Sequence, residues 1–310
     1  MKNLKKYGIV IIVSILIIFL LFNYYFSMTV YQNESFQSNN KICCFYSYYE
    51  KDEMYKENFD YFLKNAITDE IDYFIIINGD CSVNIPVREN IKVFRRANAG
   101  YDFGAYSYAI KELKNTNSGV MNYDYYFFVN TSIRGPYLKD QSKKWHQYFI
   151  ELFDKPDIKI VGTTIHTYKF KDMINVCQES SPYYSLQKLY NKPPLYSHVQ
   201  SMFFCIDNEY FRILDDIHFF NEDELNRHNN DMCYVISNKE IGLSQHAIIR
   251  GFNLNSILKE YRGRDYRTLT ENINKSETGQ EFDDPYNKGT FFGRDIDPYD
   301  VIFFKNNRGF

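Results

Sequence analysis

The sequence predicts an α/β fold in which a mostly parallel sheet carries helices on both faces. From residue 41 onward, short apolar runs typical of buried strands alternate with helix-spaced patterns, and no linker, internal repeat or charge block interrupts them. Parallel strands need a crossover connection, usually a helix, so this alternation indicates a parallel sheet. We therefore expect a single domain over residues 41–310.

The first half of the domain contains four strand-like runs. Each is rich in aromatic and β-branched residues, which favour strands. Two intervening segments place apolar residues three and four positions apart, a spacing typical of amphipathic helices. Strands are predicted at residues 41–49, 72–80, 91–98 and 123–130, and helices at residues 54–67 and 103–114.

The second half continues the alternation. The runs IKIVGTTIH and SHVQSMFFCID are each interpreted as one strand, and three segments have helical spacing. Strands are predicted at residues 158–166 and 197–207, and helices at residues 145–153, 208–217 and 240–252.

The N-terminus has the pattern of a membrane anchor. Lys2, Lys5 and Lys6 precede an apolar run that ends in an aromatic fringe, and its length is close to the ~20 residues of a spanning helix. The basic residues favour a cytosolic N-terminus. We expect a cytosolic tail (1–7), a transmembrane signal-anchor (8–26) and a stem (27–40), with a cleaved signal peptide as the alternative.

Charge and cysteine content limit the possible functions. The net charge of −3 gives no electrostatic basis for nucleic-acid binding. The six cysteines lack the Cys/His spacing of a zinc site. We expect them to be small buried hydrophobes, with one or two disulfide bonds in an oxidising compartment.

Polar turns follow three of the predicted strands. They are NGD (78–80), NAGYDFG (98–104) and NTSIRGP (130–136). Ligands of open α/β sheets bind at the carboxyl ends of the strands, so these turns together predict a polar cleft. Each turn taken alone is equally typical of an ordinary tight connection.

These motifs resemble those of a known enzyme family. NAGYDFGAY, followed by YDYYFFVNTSIRGP, is similar to the rhamnan-synthesis (RgpF-like) glycosyltransferases, and so are HVQSMFFCID (198–207), the segment 239–261 and the closing DPYDVIFFKNNR (297–308). The resemblance covers about residues 41–308. It implies a GT-A-like, Rossmann-related fold, a nucleotide-sugar donor, a glycan or glycoprotein acceptor, and inversion at the anomeric carbon.

The resemblance places the nucleotide half of the donor site at the first two turns. Gly100 and Gly104 permit close approach of the backbone, and the helix that follows offers free N–H groups to a phosphate. Asn98 and Asp102 are candidate ligands, although Asp102 could instead cap the helix. The same strand-end rule adds Asn78.

The third turn departs from the wider GT-A pattern. Many of these enzymes hold Mn²⁺ or Mg²⁺ with Asp-x-Asp, whereas Asn130 and Ser132 stand here, with Thr131 where the resembled family often has Asp. Amide and hydroxyl oxygens are poor ligands for a hard cation, so a metal cofactor is left open. Arg134 is the nearest replacement charge.

The C-terminal segment offers further candidates. Lys305 and Arg308 are expected to fold back over the donor phosphates, or else to belong to a solvated tail. Asp297 stands where related enzymes carry a metal-binding His, and is the candidate metal ligand.

An inverting transferase also needs a general base for the acceptor hydroxyl. The resemblance places Glu240 in this role, with Asp231 as the second candidate; the alternative for Glu240 is a first-turn residue that stabilises a helix N-terminus. The acceptor-side candidates are His198, Gln200 and Ser201, and His198 could equally be a buried histidine at the start of a strand.

The sequence therefore predicts a membrane-anchored glycosyltransferase. It would be a single-pass type II protein facing the lumen of the endoplasmic reticulum or Golgi, or the cell envelope in a bacterium. The alternative is a catalytically inactive, transferase-like domain that binds sugars or assembles with partners. Asn130 begins an N-x-S triplet, and we expect it to carry no glycan because a glycan there would block the cleft.

Overall fold

The structure is a computed structural model that describes residues 40–116, 119–168, 195–228, 231–270 and 284–306. The described residues from Lys41 onward form one compact unit. The predicted tail and anchor (1–26), and the stem as far as residue 39, lie outside the described residues. None of the helices in the described ranges is both long and apolar enough to cross a membrane.

A seven-stranded sheet forms the centre of the described part of the chain. Its strands are β1 (Ile42–Tyr48), β2 (Ile71–Asn78), β3 (Ile91–Arg96), β4 (Tyr125–Asn130), β6 (Ile158–Gly162), β9 (Phe203–Asp207) and β10 (Asn253–Ser256). They lie side by side in the order β10-β6-β9-β4-β1-β2-β3.

The sheet is mixed but mostly parallel. β4, β1, β2 and β3 run parallel to one another, and β10 runs parallel to β6. β9 lies between β4 and β6 and is antiparallel to both. The predicted α/β class is therefore confirmed, with one reversed strand in the middle of the sheet.

Helices connect the strands. They are α1 (Glu53–Asn65), α2 (Tyr101–Asn115), α3 (Trp145–Ile150), α4 (Asn208–Asp216), α5 (Glu222–Arg227), α6 (Met232–Val235), α7 (Gly242–Ile248) and α8 (Pro298–Val301). A π-helical turn, Ile236–Ile241, joins α6 to α7.

Two small antiparallel pairs lie outside the large sheet. β5 (Ile133–Arg134) pairs with β11 (Phe304–Lys305), and β7 (Ile165–Tyr168) pairs with β8 (Tyr196–Val199). The first pair joins the segment after β4 to the C-terminal part of the chain.

Three predicted elements need correction. Residues 158–166 form two strands, β6 and β7, because the chain leaves the large sheet after Gly162. Residues 197–207 likewise divide into β8 and β9 around a turn at residues 200–202. The helix predicted at 240–252 begins earlier, at Met232, and passes through the π-helical turn. An apolar run does not reveal where a strand changes its sheet.

Stacked aromatic rings fill the core beside β1, β4 and β9. The rings of Phe45 and Phe128 lie 5.1 Å apart, and those of Phe128 and Phe204 lie 4.6 Å apart. Such offset contacts add to the large apolar area that each ring buries. The chain's abundance of Phe and Tyr is thus used within the core.

The cysteines follow the expected pattern. Cys43, Cys44 and Cys205 are completely buried in the strands of this core, where burial raises the pKa of each thiol. Buried, protonated thiols of this kind are inert packing groups. Cys233, in α6, is disulfide-bonded.

The turn into α2 depends on two glycines. Gly100 caps the helix with φ +67°, in the left-handed region that side chains disfavour. Its carbonyl accepts a hydrogen bond from the Gly104 N–H at 2.8 Å, and a side chain at position 104 would overlap the carbonyl oxygen of Ala99. The close approach of backbone to backbone therefore requires Gly at 104.

Gly104→Ala should destabilise the protein by about 2 kcal/mol, although Ala is favoured over Gly within helices, because the new methyl group overlaps the Ala99 carbonyl. Denaturant unfolding of the purified full chain measures the change. Gly251→Ala is the control: its surroundings are open, so it should lose only about 1 kcal/mol through its positive φ. Stabilisation by Gly104→Ala would contradict the described packing.

Candidate functional site

The carboxyl ends of four parallel strands meet at one edge of the sheet. Ser47 of β1 lies opposite Asn130 of β4, and Asn78 of β2 lies opposite Arg96 of β3. The three polar turns predicted to form a cleft all follow strands that end here. The structure thus brings the turns together, as the strand-end rule predicts.

Asp102 connects these strand ends. Its carboxylate accepts a hydrogen bond from Asn130 Nδ2 at 2.6 Å and a longer one from Ser47 Oγ at 3.4 Å. The helix is capped by Gly100 without a side-chain hydrogen bond, so the capping alternative for Asp102 is wrong. Asp102 instead binds the ends of β1 and β4 together from the first turn of α2.

Burial raises the pKa of Asp102, and three groups oppose that rise. They are the hydrogen bonds from Asn130 and Ser47 and the positive charge of Lys305. A carboxylate removed from water is stable only where donors and cations compensate it. The network around Asp102 therefore holds its carboxyl group in place at the edge of the sheet.

Asn78 has a structural position beside this network. Its Nδ2 donates to Ser47 Oγ at 3.2 Å and to the Tyr48 carbonyl at 3.0 Å. Its Oδ1 accepts from Arg96 Nη1 at 2.9 Å. Asn78 is buried, so it links β1, β2 and β3 from within, and its predicted contact with a donor stays a prediction.

Glu240 approaches the same edge from the π-helical turn. Burial raises its pKa to about 7, the negative charges of Asp102 and Asp284 add to the rise, and Lys305 and a hydrogen bond from Ser201 oppose it. A carboxylate with a pKa near neutrality is suited to accept a proton at physiological pH. Glu240 lies inside a continuous helical run, so the first-turn alternative is wrong.

The neighbouring residue holds the π-helical turn in place. Lys239 is buried and donates to the Phe219 carbonyl at 2.7 Å and to Glu224 Oε2 at 3.0 Å. Glu224 also accepts from the Tyr234 hydroxyl. A buried ammonium that is fully paired resists displacement, so the turn that carries Glu240 is anchored to α5.

Two of the acceptor-side candidates, Gln200 and Ser201, lie between β8 and β9. Gln200 Nε2 donates to Asp284 Oδ1 at 3.2 Å, and its Oε1 accepts from Thr164 Oγ1 at 2.6 Å. Ser201 is hydrogen-bonded to Glu240. The structure therefore places Gln200 and Ser201 in one polar group with the candidate base.

His198 is buried on β8, opposite His166 of β7, and the two ring centres lie 5.6 Å apart. Burial and the nearby charge of His166 lower the pKa of His198 to about 3, against the opposite effect of Asp284. The imidazole of His198 is thus expected to be neutral at physiological pH. This agrees with the alternative from the sequence, in which His198 is a buried histidine at the start of a strand.

Several predicted site residues lie away from this polar cluster or outside the described residues. The Arg134 guanidinium is 4.9 Å from the ring centre of Tyr61 and 3.4 Å from Glu57, both on α1. Asp231 and Asp297 each cap a short helix. Asn98 is exposed after β3, and Arg308 lies outside the described residues. Their predicted roles stay predictions.

The loop that ends β4 does not suit a divalent cation. Asn130 Oδ1 accepts both the Ser132 N–H and its hydroxyl, at 3.0 and 2.6 Å, while Nδ2 donates to Asp102. Thr131 Oγ1 donates to the Ser47 carbonyl at 2.8 Å. These contacts use the polar atoms of the loop, and a hard cation prefers carboxylate oxygens. Across the described ranges, no three His, Cys, Asp or Glu side chains group as metal ligands.

Sequence reasoning missed two residues of the site. Ser47 ends β1 at the same edge as the predicted turns, so the strand-end rule applied to the first strand would have found it. Asp284 follows no predicted element and reaches Gln200 and Glu240 only through tertiary contacts. No local pattern in the sequence points to it.

The described part of the chain is an α/β domain that carries a polar cluster at the carboxyl edge of its parallel strands. No protein-family model matches the chain, and no curated protein matches it. Membership of the rhamnan-synthesis family therefore stays a prediction.

The fold is similar to that of a solved structure, the mannosyltransferase PcManGT from Pyrobaculum calidifontis in complex with GDP-Man and Mn²⁺. The identity is 8%, the TM-score is 0.40, and the match covers 71% of this chain and 55% of that one. The chain thus spans about half the length of this neighbour. The likeness is too distant to support an argument about function.

Asn130 should carry no glycan when the full chain is expressed in a eukaryotic secretory host. Its amide is buried and already hydrogen-bonded to Asp102, so a glycan would have to break the network. Glycopeptide mapping measures occupancy, and the triplet at Asn274 reports whether the host modified the chain. A glycan on Asn130 would contradict the site.

Glu240→Gln should stabilise the protein relative to wild type at high pH. A carboxyl group with a raised folded-state pKa contributes stability below its unfolded pKa and loses it as pH rises through about 7. Between pH 5 and 8.5 the variant should gain about 2 kcal/mol on wild type. Urea unfolding across this range measures the difference, and Glu89→Gln, on an exposed loop, should show none. Parallel pH curves for wild type and Glu240→Gln would refute the raised pKa of Glu240.

Proposed function

We propose that this protein is a glycosyltransferase that moves a sugar from a nucleotide-sugar donor to a glycan or glycoprotein acceptor, with inversion. The observation that carries the proposal is Glu240, a carboxyl group with a pKa of about 7 at the polar edge of the sheet, beside Asp102 and Lys305. The resemblance of the NAGYDFGAY and NTSIRGP segments to a transferase family supports the same function.

In the proposed reaction the acceptor hydroxyl oxygen attacks the anomeric carbon of the donor. The bond from that carbon to the diphosphate oxygen breaks, and the diphosphate leaves with the electron pair. Glu240 takes the proton of the hydroxyl as the new glycosidic bond forms. A base with a pKa near the working pH is deprotonated often enough to act and still basic enough to accept the proton.

The donor would lie across the ends of β1, β2 and β4. The left-handed turn at Gly100 leaves the start of α2 close to this edge, where N–H groups and the positive end of the helix dipole favour phosphate. Asp102 would accept from a ribose hydroxyl or a base N–H. Ser201, next to Glu240, and Gln200, which is hydrogen-bonded to Asp284, would contact the acceptor or the transferred sugar.

The proposal includes an anchored protein. The basic, apolar and aromatic sequence of residues 1–26 supports a type II orientation with the catalytic domain in the lumen of the endoplasmic reticulum or Golgi, or in a cell envelope. The disulfide at Cys233 supports an oxidising compartment.

A catalytically inactive sugar-binding or assembly module is the second candidate. The observation that favours it is the amide and hydroxyl composition of the loop after β4, where many GT-A enzymes have carboxylates. Such a module would bind glycans and turn over no donor, so the two candidates give opposite results with one assay.

The detergent-purified full chain should release a nucleoside diphosphate from at least one nucleotide sugar in a panel that varies the base and the sugar. Glu240→Gln should lower kcat by about 100-fold or more, because a positioned general base contributes about 10²–10⁴-fold. The wild-type rate should rise with pH through about 7, as Glu240 loses its proton. Measurement of diphosphate release against pH tests both expectations.

Glu89→Gln is the matched control, since it makes the same chemical change on an exposed loop and should retain wild-type kcat. Turnover that survives Glu240→Gln would reject Glu240 as the base. Glycan binding without turnover of any donor would favour the inactive module.

A further inference from the structure

Lys305 lies beside the loop that ends β4. It belongs to β11, which pairs with β5 so that Lys305 stands opposite Ile133. Ile133 directly follows Asn130, Thr131 and Ser132, the residues at the Asp-x-Asp position. Strand pairing thus brings the backbone of this lysine next to the place where a GT-A enzyme commonly binds its metal ion.

Asn306, the residue after Lys305, holds this arrangement in place through hydrogen bonds. Asn306 and Asn58 exchange reciprocal hydrogen bonds between their amide groups, at 3.0 and 2.9 Å. The same Asn58 Nδ2 lies 3.0 Å from the Thr131 carbonyl and donates to it. Asn58 is fully buried in α1, so α1 ties the segment after Lys305 to the loop after β4. Hydrogen-bonded, buried amides of this kind resist rearrangement.

The charge of Lys305 reaches two carboxylates that come from different elements. Burial raises the pKa of Asp102, on α2, and of Glu240, on the π-helical turn. The positive charge of Lys305 acts against this rise at both residues. A diphosphate that entered beside these two carboxylates would be repelled unless a cation stood between them. The ammonium of Lys305 has three N–H donors and can bind phosphate oxygens as well as carboxylates.

Two other cations near this edge, among the described residues, are already engaged by other protein groups. Arg134, the nearest replacement charge by sequence, lies against Tyr61 and Glu57 on α1. Arg96 donates to Asn78 Oδ1, and its guanidinium lies 5.7 Å from the ring centre of Tyr108. Of these three cations, Lys305 is the one whose charge acts on both Asp102 and Glu240.

We propose that Lys305, held by the Asn58–Asn306 pair, supplies the positive charge that binds the donor diphosphate, so that the donor binds without a divalent cation. This inference rests on the proposed function. It follows from two features of the same loop: its polar atoms are already used within the protein, and a fixed lysine lies beside it.

Calorimetric titration of the detergent-purified full chain with UDP, GDP, CDP and ADP tests the inference. Each titration is made once in EDTA and once in Mn²⁺. At least one diphosphate should bind in EDTA with an affinity within about threefold of that in Mn²⁺, as expected for a site whose charge comes from a side chain. Lys305→Met should weaken that binding about tenfold or more, the size of a lost charge-assisted contact.

Lys305→Arg keeps the charge and should recover most of the affinity lost in Lys305→Met. A purely structural role of the aliphatic part of the lysine side chain would not explain that recovery. Lys64→Met is the matched control: it removes the same charge from an exposed position near the end of α1, and should bind as wild type. Thermal unfolding of each variant shows whether it is folded.

The possible failures are distinct. Binding that requires Mn²⁺, or wild-type affinity in folded Lys305→Met, would overturn the inference and leave the glycosyltransferase proposal standing. An absence of binding by all four diphosphates in both buffers would overturn the inference and the proposed function together.

Discussion

The parallel register between β1 and β4 is the constraint on which the whole site depends. It puts Ser47 opposite Asn130, so that one carboxylate, Asp102, accepts hydrogen bonds from both strand ends. A slip of one residue would turn every side chain of β4 to the other face of the sheet and remove Asn130 from Asp102. The stacked core of Phe45 and Phe128 opposes such a slip, because these two residues are paired in the same register.

The site then joins acidic groups from two sides of the edge. Asp102 comes from the start of α2 and Glu240 from a π-helical turn that the buried Lys239–Glu224 pair holds against α5. Leu225 of α5 also lies against Gly100, since a Cβ on that glycine would be 3.0 Å from the Leu225 Cβ. α5 thus contacts both the turn proposed for the donor and the helix of the proposed base, which fixes their separation.

Much of this arrangement follows from the sequence by a simple rule. Alternating strands and helices indicate a parallel sheet, and the ends of parallel strands meet, so Asn78, Asp102 and Asn130 could be placed together. The positions of Lys305 and Asp284 could not, because they depend on pairing between distant segments, β11 with β5 and Asp284 with Gln200. The orientation of the Arg134 side chain could not be predicted from the sequence either, because the residues that it contacts lie on α1.

The central claim is that Glu240 is a carboxyl group of raised basicity beside Asp102 and Lys305. Carbon-13 NMR of protein labelled at the glutamate side-chain carboxyl carbon measures its titration directly, and Glu240→Gln assigns the signal by removing it. The account predicts a midpoint of about pH 7 for this one signal. A midpoint near 4.3, the value of an ordinary glutamate in water, would contradict it.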